Sequence, residues 1–201
     1  MVEKHQHVHE VIAKHFHISN RQRRRGLPWT SSQRYSRDVL GKVYAELGFT
    51  MGAEVGVRRG RYSEILCRAN PGLHLYCIDS WAADYKYAAE RQEGFYQMAV
   101  ERLAPFNVTF LRKTSMEALA DIPDGSLDFI FIDANHHFDY VMQDIILWVP
   151  KVKSGGIVSC HDYQCGEVGV TKAIEAYVYS HGIVPFYSTK EIESTAYWVN
   201  P

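Results

Sequence analysis

What most constrains this chain is a rhythm of apolar runs. Two of them, Leu127-Asp128-Phe129-Ile130-Phe131-Ile132 and Gly156-Ile157-Val158-Ser159-Cys160, are almost continuously hydrophobic. A strand that reads this way, without polar alternation, is buried on both faces, as in a parallel sheet covered by helices on each side. From Ser36 onward, helical stretches alternate with short β-rich runs, and turn residues separate nearly every pair. That is the pattern of an α/β sheet. The spacing predicts a helix over 36–47, with Ser36 as N-cap and Gly48 as its stop. It continues with a strand at 52–57, a helix at 61–69 ended by Asn70-Pro71-Gly72, a strand at 73–79, a helix near 86–103 and a strand at 107–113. The second half predicts a short helix at 115–120, a strand at 127–133, a helix at 138–149, a strand at 156–161 and a helix at 167–180. Two closing strands near 183–188 and 195–199 form a terminal hairpin. The expectation is a Rossmann-like, doubly wound, mostly parallel seven-stranded sheet with one antiparallel strand near the C-terminus.

Composition bounds the function classes. A chain of 201 residues is long enough for one domain with a substantial core, and 46% hydrophobic with 22% charged residues excludes whole-chain disorder, collagen or coiled coil. A formal net charge of -1 supplies no global field for nucleic acid. No apolar run approaches the roughly 20 residues that span a bilayer, and no secretory signal is read at the N-terminus. Cys67, Cys77, Cys160 and Cys165 show no CxxC spacing, so a reducing cytoplasm is the expected compartment.

Residues 1–35 read as an accessory arm ahead of a domain over 36–201. The arm holds His5, His7, His9, His15 and His17 and the basic run Arg21, Arg23, Arg24 and Arg25. Val8, Val11, Ile12 and Phe16 recur at helical spacing, and Gly26 and Pro28 punctuate the arm beyond them. The leading expectation is a solvated helix and turn packed on the domain surface. Metal capture by the histidines and a phosphate or RNA contact through the arginines are the alternatives.

In doubly wound sheets, ligands bind at the carboxyl ends of the strands where strand order reverses, and that rule selects the residues worth weighing. Ala53-Glu54-Val55-Gly56-Val57-Arg58-Arg59-Gly60 runs from a strand into a helix, and Gly56 and Gly60 permit a tight turn close to a ligand. The spacing is not GxGxxG. Glu54 would repel a pyrophosphate and attract an ammonium group, which favours a ligand with an amino-acid moiety. Asp79, ending the next strand, can accept both hydroxyls of a ribose. Trp81 could lie against an adenine ring or belong to the core, and Ser115 and Met116 begin a polar turn able to border the base.

These residues, with Asp133 ending the fourth strand, resemble the class I S-adenosylmethionine-dependent methyltransferases over roughly residues 36–200. By that resemblance Glu54 faces the methionine amino group, Gly56 and Gly60 the methionine chain, and Asp79 the ribose. Ser80, Trp81, Ser115 and Met116 face the adenine. The segments Phe131-Ile132-Asp133-Ala134-Asn135-His136 and Gly155-Gly156-Ile157-Val158-Ser159-Cys160-His161-Asp162-Tyr163 are similar to a narrower group. It comprises metal-assisted O-methyltransferases of sugars and antibiotics and cephalosporin-hydroxylase-like proteins. The likeness implies an ion, Mg²⁺ or Mn²⁺, on Asp133, His161 and Asp162, and His136 as general base. Asp133 counts in both the donor and the ion sets.

The residues themselves carry a case beside that likeness. Asp133 and Asp162 end neighbouring predicted strands, so one ion could reach both carboxylates, and a hydroxyl on it would lose its proton more easily. His161 stands where relatives carry an acid, which leaves room for Mn²⁺, Fe²⁺, Zn²⁺ or no metal. Without metal, His161 or His136 is the base, oriented by Asp133 or Asp162. Tyr163 reads as a wall of the acceptor pocket or as core. The leading reading is methyl transfer to a hydroxyl of a small molecule or sugar; the alternatives are another metal reaction such as hydroxylation, and a cofactor-binding scaffold or RNA-directed enzyme using the basic arm. The segment 81–98, with Tyr85, Tyr87, Phe95 and Tyr96, reads as cover over the strand ends or as core, and a homo-oligomer through the arm stays open.

Overall fold

A computed structural model describes residues 2–18, 29–30, 35–83 and 87–201, and the side chains of most of them. Arg21, Arg23, Arg24, Arg25, Gly26, Pro28 and Tyr85 lie outside the described residues. The elements run α1 (Val2–His15), β1 (Trp29–Thr30), α2 (Asp38–Glu46), β2 (Met51–Val55), α3 (Arg61–Ala69), β3 (His74–Ile78), α4 (Ala89–Leu103) and β4 (Val108–Leu111). The second half adds α5 (Ser115–Ala118), β5 (Leu127–Ile132), α6 (Phe138–Trp148), β6 (Val152–Tyr163), α7 (Val168–Ser180), β7 (Phe186–Ser188) and β8 (Ser194–Val199).

The sheet order is β1-β7-β8-β6-β5-β2-β3-β4. All seven expected strands are present, and the two-residue β1 adds an eighth at the edge, parallel to β7. Among the described strands only β8 runs against its neighbours, pairing antiparallel with both β6 and β7. The order reverses between β2 and β5, so the crevice of the doubly wound fold opens above the C-terminal ends of those strands.

Period-two alternation sends the sheet's side chains into two cores. On one face Phe129, Phe131, Leu75, Cys77 and Ile157 pack against α1, α2, α3 and α4. On the other, Ile130, Ile132, Ala53, Val55 and Val158 meet α5, α6 and α7. The helix ends follow local chemistry. Gly48, at φ +66°, stops the backbone after α2, and Thr114 with Glu117 forms a reciprocal capping box at the start of α5.

The N-terminal helix is more deeply placed than a surface turn. Val8, Val11, Ile12 and Phe16 are buried in the same core as β5 and β6, and Phe16 lies 5.2 Å from the Tyr197 ring. Burying such a side chain stabilises a fold by about 1.5–3 kcal/mol. Three of the arm's histidines bond to the domain: His5 to Ser154, His9 to Tyr187 and His15 to Glu46. No helix among the described residues is long and apolar enough to cross a membrane.

Candidate functional site

A cavity of about 770 Å³ opens over the switch point. Its floor is the bend after β2, where Gly56 takes φ +95° and a Cβ at that position would fall 1.9 Å from the Asp133 carbonyl oxygen. The Gly56 amide donates to Ile78 and the Asp133 amide donates to Val55, so three strand ends are tied together at this point. Only glycine permits that approach. Gly60, at φ +68°, then opens α3.

Asp79, at the end of β3, is aimed by two backbone donors. Arg58 N–H reaches Oδ2 at 2.8 Å and Trp81 N–H reaches Oδ1 at 2.9 Å. Asp79 lines the cavity together with Ser80, Ser115 and Met116. Trp81 does not join them. Its side chain is 1% exposed, its ring N–H donates to the Arg58 carbonyl at 2.8 Å, and the indole packs on Tyr96. Indole has one polar atom, and here that atom locks the Arg58 turn from below, so the expected stacking on a base is corrected to a core role.

Glu54 is corrected in the same way. Strand β2 ends at Val55, so alternation turns residue 54 sideways under α3, opposite Cys77 and Phe131. The carboxyl is 2% exposed and accepts a hydrogen bond from Ser63 Oγ at 2.5 Å. Burial pushes its pKa up to about 8, and the carboxyl is not part of the cavity wall. The carboxylate that does line the cavity beside the glycine bend is Asp133.

Around Asp133 the ends of β5 and β6 gather a charged cluster. His136 Nε2 stands 3.0 Å from Asp162 Oδ2 and 3.8 Å from Asp133 Oδ1, and its Nδ1 is 3.5 Å from Glu167. His161 Nδ1 lies 3.1 Å from Asp162 Oδ1 and 3.5 Å from Asp133 Oδ2. Burial by itself would raise Asp133, but His136, His161 and Arg37 outweigh it and hold the pKa at about 2. Burial would depress His161, yet Asp133 and Asp162 bring it up to about 9. His136 is raised chiefly by Asp133, against the opposing pull of burial. Asp162 is lowered, because His161 and His136 overcome its desolvation. It also adopts φ +59°, a conformation uncommon for a residue with a side chain and one that clusters at functional sites.

The donor set fits a divalent ion. Asp133, His136 and Asp162 converge within 4.8 Å, as do His161, Asp162 and Glu193, the last residue of the β7–β8 connection. His161 Nδ1 is buried without a well-aligned hydrogen bond, pointing at two carboxylates. Two imidazoles among carboxylates suit Mn²⁺, Fe²⁺ or Zn²⁺ better than the all-oxygen preference of Mg²⁺.

Other residues weighed from the sequence fall outside this chemistry. Tyr163 is 1% exposed and packs edge-on against Phe186, so it is core. Burial raises both the Cys160 and Cys165 thiols, which disfavours a thiolate at either. Tyr87 lines the cavity, whereas Phe95 is 4% exposed and Tyr96 packs on Trp81.

Sequence reasoning missed Arg37, Glu193 and Asp144. Arg37 opens α2, sits 4.8 Å from the Tyr62 ring centroid, and reaches Asp133 Oδ2 at 3.4 Å. Its signal was available, since a helix preceding a parallel strand begins at the C-terminal rim of the sheet. Asp144 interrupts the apolar stripe Val141, Ile145 and Trp148 of α6, which is how a buried polar residue announces itself.

A doubly wound sheet with a ligand-sized, polar cavity at its switch point defines an α/β protein of the nucleotide-cofactor-binding class. The family model described as "Methyltransferase domain" matches residues 53–163, more than half of the chain, and the chain belongs to that family. Over 126 residues it is 27% identical to the uncharacterized protein y4gI of Sinorhizobium fredii (strain NBRC 101917 / NGR234), a match covering 59% of this chain and 13% of that protein. The chain thus spans about an eighth of the length of that relative. Among solved structures, it is similar to the O-methyltransferase TomG from Streptomyces achromogenes, in complex with SAM, at 18% identity and TM-score 0.59 over 81% of this chain and 80% of the other. It is also similar to the O-methyltransferase from Bacillus cereus in complex with SAH, at 16% identity and TM-score 0.60 over 96% and 90% of the two chains. At these identities the likeness concerns the fold.

Proposed function

We propose that this protein transfers a methyl group from S-adenosylmethionine to the oxygen of a hydroxyl on a small molecule or sugar. The observation that carries the reading is the single cavity in which Asp79 and Asp133 flank the Gly56 bend and His136 stands beyond them. The SAM and SAH held by TomG and the Bacillus cereus relative support the choice of donor. Asp79 takes the ribose, Gly56 admits the methionine chain, and Asp133 faces its ammonium group. Arg37, beside Asp133, offers the complementary charge to the methionine carboxylate.

The acceptor oxygen attacks the methyl carbon, the C–S bond breaks, and the electron pair stays on sulfur to give the neutral thioether. The hydroxyl proton passes to the His136 imidazole, and the resulting imidazolium donates from Nε2 to Asp162 Oδ2 at 3.0 Å. Asp133, the chief cause of the raised His136 pKa, is also the group assigned to the donor's ammonium, so donor binding relieves its hold on the imidazole proton. Sulfonium is already a cationic leaving group, and in-line positioning supplies much of the remaining acceleration. A divalent ion would be held by Asp162 and His161 with Asp133 or Glu193, where it would stabilise the developing alkoxide.

Thermal unfolding with and without S-adenosylhomocysteine tests the donor. At a hundred times its dissociation constant, the ligand adds about 2.7 kcal/mol of stability. The absence of any shift at millimolar ligand removes the assignment. Titration of the protein with Mn²⁺, read by the loss of its free-ion paramagnetic resonance signal, tests the ion separately.

A further inference from the structure

Arginines on the α3–α4 side of the cavity fall into two kinds. Arg68 and Arg102 pair with Glu64, and Arg112, stacked 4.6 Å from the Tyr96 ring centroid, pairs with Glu93. Arg58, Arg59 and Arg91 have no carboxylate partner among the described residues. They nevertheless converge. Their guanidinium carbons lie 5.3, 4.5 and 5.7 Å from the Phe95 ring centroid, and those of Arg58 and Arg91 lie 5.1 and 4.9 Å from the centroid of Tyr87. Three like charges gathered on two rings repel one another, and an anion between them would relieve that repulsion.

The cluster stands at the edge of the cavity. Arg58 and Tyr87 line it, next to Asp79 and Gly56. Arg58 and Arg59 come from the turn between Gly56 and Gly60, and Arg91 from the first turn of α4, one helical turn before Phe95. Stacking occupies the face of a guanidinium and leaves its in-plane N–H groups for a ligand. Arg58 spends one of these on the Tyr87 hydroxyl at 2.5 Å, whereas Arg59 Nε is buried with no hydrogen-bond partner among the described residues. An exposed guanidinium can leave its N–H groups to water; a buried, unpaired one cannot.

We propose that Arg58, Arg59 and Arg91 form an anion subsite, and that the methyl acceptor carries a phosphoryl group, as in a sugar phosphate or a nucleotide-linked sugar. Charge decides between anions. A carboxylate brings a single negative charge to three cations, a phosphate monoester brings about 1.5–2 at neutral pH, and guanidinium forks match phosphate oxygens in pairs. The donor supplies no such group, since it has no phosphate and its carboxylate is assigned to Arg37. The inference rests on the methyl-transfer reading above and adds to it the class of acceptor.

Calorimetry on the full chain, in metal-free buffer at fixed ionic strength, tests the subsite with inorganic phosphate and pyrophosphate as probes. The wild type binds pyrophosphate, and Arg59→Gln and Arg91→Gln each weaken it about 10-fold, the loss of one charge-assisted hydrogen bond. Arg112→Gln removes an equal charge from a stacked but paired guanidinium and leaves the affinity unchanged. No binding of pyrophosphate at millimolar concentration, or an equal loss in Arg112→Gln, overturns the inference. Phosphate binding as tightly as pyrophosphate supports it with a sugar phosphate as acceptor, and a clear preference for pyrophosphate supports it with a nucleotide-linked sugar. Repeating the titration with S-adenosylhomocysteine bound assigns the anion to its owner: an unchanged affinity keeps it with the acceptor, whereas competition between the two ligands overturns that assignment. A protein that binds pyrophosphate but not S-adenosylhomocysteine loses the donor reading and keeps the anion subsite.

Discussion

Two ends of one cavity treat the same functional group in opposite ways. Where β5 and β6 end, Asp133 is half-buried yet held at about 2, because two imidazoles and Arg37 face it. At the other end, Asp144 is more enclosed and rises to about 6, since burial is opposed only by the Ser115 hydroxyl. Glu54, beneath the glycine bend, behaves like Asp144 and reaches about 8. Burial is common to all three, so partners decide the sign. The histidine end is a compensated cluster whose members need one another, and the other two carboxyls are stored cost.

The sharpest way to break that contrast is to remove a cation from the compensated end. His161→Leu leaves Asp133 and Asp162 facing each other across a 5% exposed position. Taking one partner from a buried charged set is expected to cost about 3–5 kcal/mol, measured by urea unfolding at neutral pH in a chelator. A loss below about 1 kcal/mol would mean that the cluster is solvated and that the comparison fails.

Glu54→Gln should move stability the other way. Gln can accept the Ser63 hydrogen bond, so the substitution removes only the titration. The folded carboxyl keeps its proton to about pH 8 while the unfolded one loses it near 4.5, so the native state binds the extra proton between those values. Wild-type stability from this group is therefore complete below 4.5 and is lost as pH rises to about 8. The variant gains on wild type throughout that window, by on the order of 3 kcal/mol at neutral pH, and the difference then levels off. A difference that does not change between pH 5 and 8 would show that Glu54 is not protonated in the fold.

Asp144→Asn gives a comparable effect at neutral pH over a narrower range. Its window runs from about 4 to about 6, again with stability lost as pH rises, and the variant's advantage levels off at about 3 kcal/mol by pH 7.

How much of this was legible in the sequence differs between strands and their surroundings. Residues that end strands were readable: Asp79, Asp133, His136, His161 and Asp162 reach the rim because a parallel sheet brings all its strand ends to one side. Glu54 was misplaced because it lies within the strand, on the face covered by α3, where its carboxyl meets Ser63 instead of the rim. Strand β6 begins at Val152, four residues before the apolar run, and its register against β5 shifts between Val152 and Ile157, across Gly155 and Gly156. Gly155 N–H donates to Asn200, and a Cβ at Gly156 would fall 2.5 Å from the Asp128 carbonyl oxygen, so that glycine permits close packing. Arg37 and Asp144 left a local signal, a helix start at the rim and a polar break in an apolar stripe, whereas Glu193 comes from the β7–β8 connection, whose approach to the site depends on tertiary packing that no local pattern records. The same holds for α1: its apolar period was visible, but nothing in it said that Phe16 would reach Tyr197.

The weakest test is on the outside of that helix and asks whether compensation alone, without burial, suffices. Glu46 carries the same kind of charge set as Asp133, with Lys14 Nζ and His15 Nε2 both at 2.8 Å. Its pKa is likewise lowered, chiefly by the Lys14 and His15 hydrogen bonds, so its contribution is present above the unfolded value and disappears as pH falls through the folded one. Here water screens every member. Glu46→Gln should therefore produce only a small loss of stability at low salt, and none at about 1 M salt, where the Debye length is about 3 Å. His161→Leu should be nearly as damaging in high salt as in low, because its charges are shielded by protein and not by ions. If the two losses fall in parallel as salt is added, burial is not what separates the cluster from the surface, and the distinction between compensated and uncompensated carboxyls must rest on distance alone.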